Sequence, residues 1–219
     1  MILSVDTTSE FGSIALTGPA GTIEEIPLHS PDGFGHILFQ RIEQLLARHD
    51  TNVNRLDCLA AASGPGSFTG VRVGLAAVKG LADASGKRVV AVSNLRALAF
   101  FGTAPLRATV LDARRGEVYG AIYSDRLEIV APEVVTKFPS WVAALPAHGF
   151  EFIALDFSPF HASVDPGIPV ITAPRSLAAA IGHIAAIEHR QGRAKDPAEI
   201  DANYVRRSDA ELFWSEPRP

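Results

Sequence analysis

The order of strands, turns and helices predicts an α/β fold of two similar lobes, each built on a mixed sheet, with the second lobe reduced. Three observations carry this. Residues 2–5 form an apolar run that ends in Asp6, continues through Thr7-Thr8-Ser9-Glu10-Phe11-Gly12 and returns as two further strand patterns, 13–17 and 21–28. The plan begins again at Arg107: an apolar strand at 108–111 ends in Asp112, the turn Ala113-Arg114-Arg115-Gly116 follows, and strands at 117–123 and 127–130 complete it. Between the copies, helical and strand periods alternate, which places helices against a sheet.

In the first lobe, taken as residues 1–102, the span 34–50 has helical spacing. Leu38, Ile42 and Leu45 share a face with Phe39 and Leu46 beside them, while Arg41, Gln44 and Arg48 point away. The run 58–62 is short and apolar, as in a strand buried on both faces. A turn and helix follow over 64–84, then a strand at 88–92 and a short helix at 94–101. The second lobe, taken as 103–192, adds a short helix at 140–145, strands at 151–155 and 170–172, and a helix at 176–189, with Pro- and Gly-rich loops at 147–149 and 158–169. Residues 193–219 are expected to lie along the surface or tuck against a lobe, with the last few disordered.

The stretch Gly64-Pro65-Gly66-Ser67-Phe68-Thr69-Gly70 invites two readings, because glycines before a helix can cradle a phosphate or let two backbones pass closely. A dinucleotide fingerprint counted from Gly64 needs glycine at position 69, where Thr69 stands, and no Gly-Lys-Ser/Thr closes a Walker-type loop. The spacing favours the structural reading, with Ser67 or Thr69 as helix N-cap. At about 100° per residue, Arg72, Lys79 and Asp83 fall within roughly 40° of one another, leaving the other directions to Val, Leu, Ala and Gly. A helix packed only on its own sheet needs one apolar face, so the rest meets either a partner helix, the reading favoured in a chain this small, or further parts of its own domain, as in a central helix covered on all sides. Gly74 and Gly80 mark places of close approach.

The chain has 219 residues, 47% of them hydrophobic, enough for a sizeable core. A formal charge of −4 and a pI near 6.0 supply no basic field for autonomous nucleic-acid binding. The one cysteine, Cys58, excludes an internal disulfide and suits a reducing cytoplasm. No signal peptide or membrane span is apparent, so a cytoplasmic protein with no membrane partner is expected.

Catalytic patterns are few. The seven histidines never stand at i, i+4, and with a single cysteine no metal site is expected. Gly-x-Ser-x-Gly does not occur. Asp6 and Asp112, one per lobe, are placed to meet across a cleft and hold magnesium, as paired carboxylates do in phosphoryl transfer. Asp6-Thr7-Thr8 is equally an ordinary turn sequence whose side chains bond their own backbone.

The segments Ile2-Leu3-Ser4-Val5-Asp6-Thr7-Thr8, Gly64 to Gly74 and Leu111-Asp112-Ala113-Arg114-Arg115-Gly116-Glu117-Val118-Tyr119 together resemble the bacterial TsaB (YeaZ-type) family. The second is the most specific. His36 and Tyr204-Val205-Arg206 extend the resemblance over nearly all of the chain, weakest from Phe138 to Pro169. It implies the two-lobed actin-like, sugar-kinase and Hsp70 ATPase fold, whose lobes are ribonuclease H-like. It also implies a role in placing threonylcarbamoyl on the adenosine next to the anticodon of tRNA. In that pathway the paralogue TsaD transfers the group with a metal held by His-x-x-x-His. This sequence lacks the motif, which implies a noncatalytic but required partner subunit. ATP, magnesium and the catalytic metal then belong to partner subunits, and no cofactor is expected on this chain.

The resemblance further implies pairing with a TsaD-like paralogue through first-lobe helices, a TsaE-like small ATPase at the junction, and tRNA reached through the complex. The same surface could form a homodimer when the chain is alone. The expected interface takes His36, Leu38, Phe39, Ile42, Leu45 and Leu46 from the first helix and Ser67, Phe68 and Thr69 from the turn. From the second helix it takes Val71, Arg72, Gly74, Leu75, Ala77, Val78 and Leu81. A bulky charge at Gly74 or Ala77 is expected to abolish pairing and leave the monomer folded. Asp6, Thr7, Thr8, Asp112 and Arg114 form a vestigial phosphate-type cleft. The competing function is a small ATP-dependent phosphotransferase using that cleft. A peptidase reading is weaker, because the protease-like label of the superfamily depends on the missing metal motif.

Overall fold

The computed structural model describes residues 1–205. Its first sheet has the order β3-β2-β1-β4-β5, from β1 (Ile2–Asp6), β2 (Phe11–Gly18), β3 (Gly21–His29), β4 (Cys58–Gly64) and β5 (Arg88–Ser93). The second sheet has the order β10-β9-β6-β7-β8, from β6 (Leu106–Arg114), β7 (Glu117–Ser124), β8 (Ile129–Lys137), β9 (Phe150–Ala154) and β10 (Val170–Thr172). Read from the other edge, it repeats the first strand for strand. In each, an antiparallel three-strand meander joins two parallel strands. The duplicated two-lobed plan is therefore present.

Both central strands are apolar because each sheet is covered on two faces. Along β1, Leu3 and Val5 join a cluster with Leu38, Ile42 and Leu45 of α1 (Leu38–Arg48) and Leu75 and Val78 of α2 (Phe68–Ser85). On the opposite face, Ile2, Ala60 and Val92 pack with Leu95 and Leu98 of α3 (Asn94–Ala99) and with Ile181 and Ile184 of α5 (Ala178–Arg190).

The expected boundary at residue 192 is corrected by α5, which lies against β1, β2 and β4 of the first sheet. No side chain at its own N-cap holds its first turn; the first sheet does so instead. Ser13 Oγ accepts from Ala178 N at 2.9 Å, Glu25 Oε1 accepts from Ala179 N at 2.9 Å, and Ser4 Oγ donates to Ala178 O at 2.7 Å. A Cβ at Gly182 would lie 3.0 Å from Ser4 Oγ, so the helix packs as close as its small residues permit.

The reduction of the second lobe lies between β9 and β10. There a loop with one short 3₁₀ turn, His161–Ser163, stands where the first lobe has the 18 residues of α2. Aromatic side chains fill that volume: Phe157 and Phe160 enter from the loop and pack with Phe152 and with Phe138 and Trp141 of α4 (Phe138–Val142). Gly120 lets the Trp141 ring sit directly on β7. The helices expected at 34–50, 94–101 and 140–145 are shorter or shifted. Phe34 is buried in the turn before α1, and Lys137 and Pro139 start α4 early. The strand expected at 127–130 is the longer β8.

The lobes are joined by residues 100–105, and buried polar side chains grip this connection. Glu151 of β9 accepts from Thr103 N at 2.5 Å and Ala104 N at 2.8 Å, while Arg107 of β6 donates to Ala99 O at 2.9 Å and Ala104 O at 3.1 Å. Beyond α5 the chain pairs Lys195 with Val89 of β5, buries Ile200 in the first-lobe core and passes beside α2, where Lys79 Nζ donates to Ile200 O at 2.7 Å. Residues 193–205 thus form a strap on the first lobe. The disorder expected at the last residues, and Arg206 of the Tyr204 motif, lie outside the described residues. No described helix is long and apolar enough to cross a membrane.

Candidate functional site

The turn between β1 and β2 and the turn before α2 form one interlocked unit. Ser67 N donates to Thr8 O at 2.7 Å, and Thr7 Oγ1 donates to Gly70 O at 2.7 Å. A Cβ at Gly66 would lie 2.6 Å from Thr8 O, and one at Gly74 2.5 Å from Thr7 Oγ1; at Gly70 it would strike Thr7 O. Glycines at 66, 70 and 74 therefore give α2 a side-chain-free edge against which Thr7 and Thr8 lie. Gly64, at φ 100°, starts the turn, and Ser67 caps the helix by accepting from Gly70 N at 3.3 Å. The structural reading of these glycines holds. Gly80, by contrast, has nothing within 4 Å of its Cβ position.

Between the lobes lies a cleft of about 700 Å³. Asp6, Thr8, Pro65, Gly66, Ser67 and Asn94 line one side, and Leu111, Asp112, Arg114, Tyr119 and Asp156 the other. It gathers Asp6, Thr8, Asp112 and Arg114, as expected. Thr7 is turned away beneath α2 and does not line it. Asp6 is 2% exposed, and its Oδ1 accepts from Thr8 N at 2.9 Å and Thr8 Oγ1 at 2.7 Å. Asn94 Nδ2 donates to Thr8 Oγ1 at 2.7 Å, and Asn94 Oδ1 accepts from Gly64 N at 3.0 Å. Burial pushes the Asp6 carboxyl above the usual range, and the Thr8 hydrogen bonds draw it partly back. Asp112 is exposed, and its Oδ1 accepts from Arg114 N at 2.7 Å in a turn where Arg114, Arg115 and Gly116 all have positive φ.

Asn94 is the residue of this network that the sequence reading missed. It stands 86 positions from Thr8, and only its place after β5 at a helix start hinted at a role. Arg175, held over the Phe11 ring at 4.3 Å at the cleft edge, gave no sequence signal. A phosphate and magnesium, which the fold suggests for such a cleft, do not fit this side of it as it stands. The Thr8 hydroxyl and one Asp6 oxygen are bound to each other, and the Thr7 hydroxyl faces the helix. Among the described residues, no three His, Cys, Asp or Glu side chains are grouped to hold a metal.

The expected interface residues divide. Leu38, Ile42, Leu45 and Leu46 of α1, with Val71, Gly74, Leu75, Ala77 and Val78 of α2, are buried in the first lobe's own core, and Leu81 is half-buried. Their apolar spacing reflects the sheet beneath, which corrects their assignment to a docking surface. A charge at Gly74 or Ala77 would break the lobe before it tested a partner. Open to solvent are His36 in the turn before α1, Phe39 on α1, Ser67, Phe68 and Thr69 at the start of α2, and a stripe along α2 of Arg72, Ala76, Gly80, Asp83 and Ala84. The stripe is wider than the expected Arg72, Lys79 and Asp83, and much of it is small side chains.

The family model described as "TsaD: tRNA N6-adenosine threonylcarbamoyltransferase" matches residues 27–163. The tRNA threonylcarbamoyladenosine biosynthesis protein TsaB of Escherichia coli is 34% identical over 126 residues, 56% of this chain and 54% of that protein. Its namesake in Bacillus subtilis is 32% identical over 149 residues, 66% of this chain and 65% of that protein. A solved Pseudomonas aeruginosa protein, described as uncharacterized with similarity to peptidase YEAZ, superposes with a TM-score of 0.83 at 25% identity. That superposition covers 94% of this chain and 99% of that one. The chain belongs to the TsaB (YeaZ-type) family. It spans between about half and two thirds of the length of these two TsaB relatives. Within this TsaB-family chain, the matched span runs from β3 through α1, the glycine turn and α2 into the second lobe.

Proposed function

We propose that this chain is a noncatalytic partner subunit in the making of threonylcarbamoyladenosine on tRNA, binding and supporting a TsaD-type catalytic paralogue. Family membership supplies the pathway. The observation that carries the noncatalytic part is the network of Asp6, Thr8 and Asn94, which engages within the fold the Thr8 hydroxyl and one Asp6 oxygen, groups that a phosphoryl-transfer cleft would turn to its ligand. The supporting role rests on the exposed face of α2, where Ala76, Gly80 and Ala84 let another helix approach closely. Phe39 and Phe68, 56% and 58% exposed, are anchors of the kind interfaces use. A TsaE-type ATPase and tRNA then join through the complex, and two copies of this chain use the same face when the paralogue is lacking.

Reconstitution tests this reading. The organism's own paralogue, supplied with threonylcarbamoyl-adenylate and tRNA, is expected to modify the tRNA with this chain present and at most weakly without it. Equal modification in both mixtures would sink the proposal. The competing phosphotransferase reading rests on Asp6 and Asp112 both lining the cleft. Tight magnesium-dependent ATP binding by the chain alone, lost in Asp6→Ala, would favour it.

A further inference from the structure

Tyr204 belongs to a motif that neither the cleft nor the two helices explain, and the structure gives it a definite place. The strap reaches the start of α2 and is fastened to both lobes by one residue. Asn203 N donates to Ser63 O at the end of β4 at 2.8 Å, and Asn203 Nδ2 donates to Glu133 Oε2 of β8 at 2.6 Å. Glu133 is itself fixed, since its Oε1 accepts from the buried Tyr123 hydroxyl at 2.6 Å. The next residue, Tyr204, lies 6.2 Å from the Phe68 ring, and the Arg72 guanidinium sits 3.2 Å over Phe68 and 5.2 Å from Tyr204. Phe68 and Tyr204 remain 58% and 49% exposed, and Arg72 makes no ion pair with a described residue.

Large aromatic rings left open around a cation are costly to keep in water unless something covers them. A guanidinium stacked on a ring has its faces used, and Arg72 Nη1 also donates to Phe68 O at 3.4 Å, which leaves its remaining edge N–H groups to take a carboxylate. The platform is also continuous with the small-residue stripe of α2, so one occupant can lie on both.

We propose that the strap is the third component of the partner-binding face. Tyr204, held by Asn203, completes with Phe68 and Arg72 a platform for a segment of the catalytic paralogue that presents an apolar side chain beside a carboxylate. This rests on the reading that the paralogue is the partner. It adds that the surface spans α2 and the strap, and that Glu133 ties its geometry to the second lobe.

The test is titration of the full chain with the purified paralogue, followed by calorimetry, on wild type, Tyr204→Ala, Asn203→Ala, Arg72→Glu, Phe68→Ala and Ile187→Ala. Tyr204 is half exposed, so its loss leaves the fold intact, which a thermal melt verifies. Expected are a weakening of about tenfold or more in Tyr204→Ala and Asn203→Ala, loss of detectable binding in Arg72→Glu, and wild-type affinity in Ile187→Ala, on the opposite face of the first sheet. Wild-type affinity in Tyr204→Ala and Asn203→Ala, with weakening in Phe68→Ala, would overturn the strap's part and leave the partnership standing. No binding by the wild-type chain would overturn the partnership and the platform with it.

Discussion

Asp6 shows how a side chain that reads as a ligand in sequence can also hold the turn that follows it in the fold. An acid at the end of a central strand, followed by two threonines, is a reasonable ligand set. What decides its role is the geometry of its neighbours: Thr8 bonds back to it, and Asn94 arrives from the end of β5 to complete the network. Because burial raises the carboxyl, its stabilising contribution is fully present below the unfolded value of 3.8 and is lost as pH rises through the raised folded value. Asp6→Asn keeps the acceptor that both Thr8 donors use and removes the buried charge. At pH 7 the variant is therefore expected to unfold at the same denaturant concentration as wild type or a higher one. The gap should close as pH falls toward 4. A loss of more than about 1 kcal/mol at pH 7 would mean that the charge itself is needed by the fold.

At the scale of elements, α2 and the turn before it carry two kinds of glycine. Gly66 and Gly70 sit against the Thr7-Thr8 backbone, whereas Gly80 faces solvent. Gly66→Ala drives a methyl to 2.6 Å from Thr8 O and should cost about 1–3 kcal/mol. Gly80→Ala relieves the entropy of a mid-helix glycine and should stabilise by up to about 1 kcal/mol. Chemical denaturation of the two variants measures both; equal effects would contradict the interlock. The existence and order of the strands and main helices were legible in sequence, because period-2 and 3.6-residue patterns survive without knowledge of contacts. Which apolar face of a helix meets its own sheet was not. Leu75 and Val78 read as free apolar surface only because periodicity carries no information about the sheet beneath α2. The same limit hid the lobe that α5 joins, since Ser13 and Glu25, which hold its first turn, lie more than 150 residues away.

For the whole molecule, the question is what makes two lobes and a strap one unit, and Glu188 is the clearest answer. From α5 it accepts Arg96 Nη2 of α3 at 2.8 Å, and Arg193 at the start of the strap at 2.5 and 2.8 Å. Arg96 in turn donates from Nε to Leu127 O of the second lobe at 2.9 Å. Helices α3 and α5 and the strap thus meet at one carboxylate, and Arg96 links a second-lobe turn to it. Local sequence patterns could not announce it, since the partners stand 92 and 5 residues away and Glu188 reads as one more polar position on a helix. The Arg193 guanidinium foremost, then Arg96, lower its pKa to about 2, against the opposing effect of burial. A depressed carboxylate contributes stability that is complete above the unfolded value of 4.5 and disappears as pH falls through about 2. Glu188→Gln is expected to cost about 1–3 kcal/mol at pH 7, within the range for charged hydrogen bonds at a partly exposed site. The deficit should shrink as pH falls from 4.5 toward 2, where wild type loses the same interaction. Urea unfolding of both proteins across that range measures it, and a deficit constant with pH would show that the side chain's shape, and not its charge, joins the lobes to the strap.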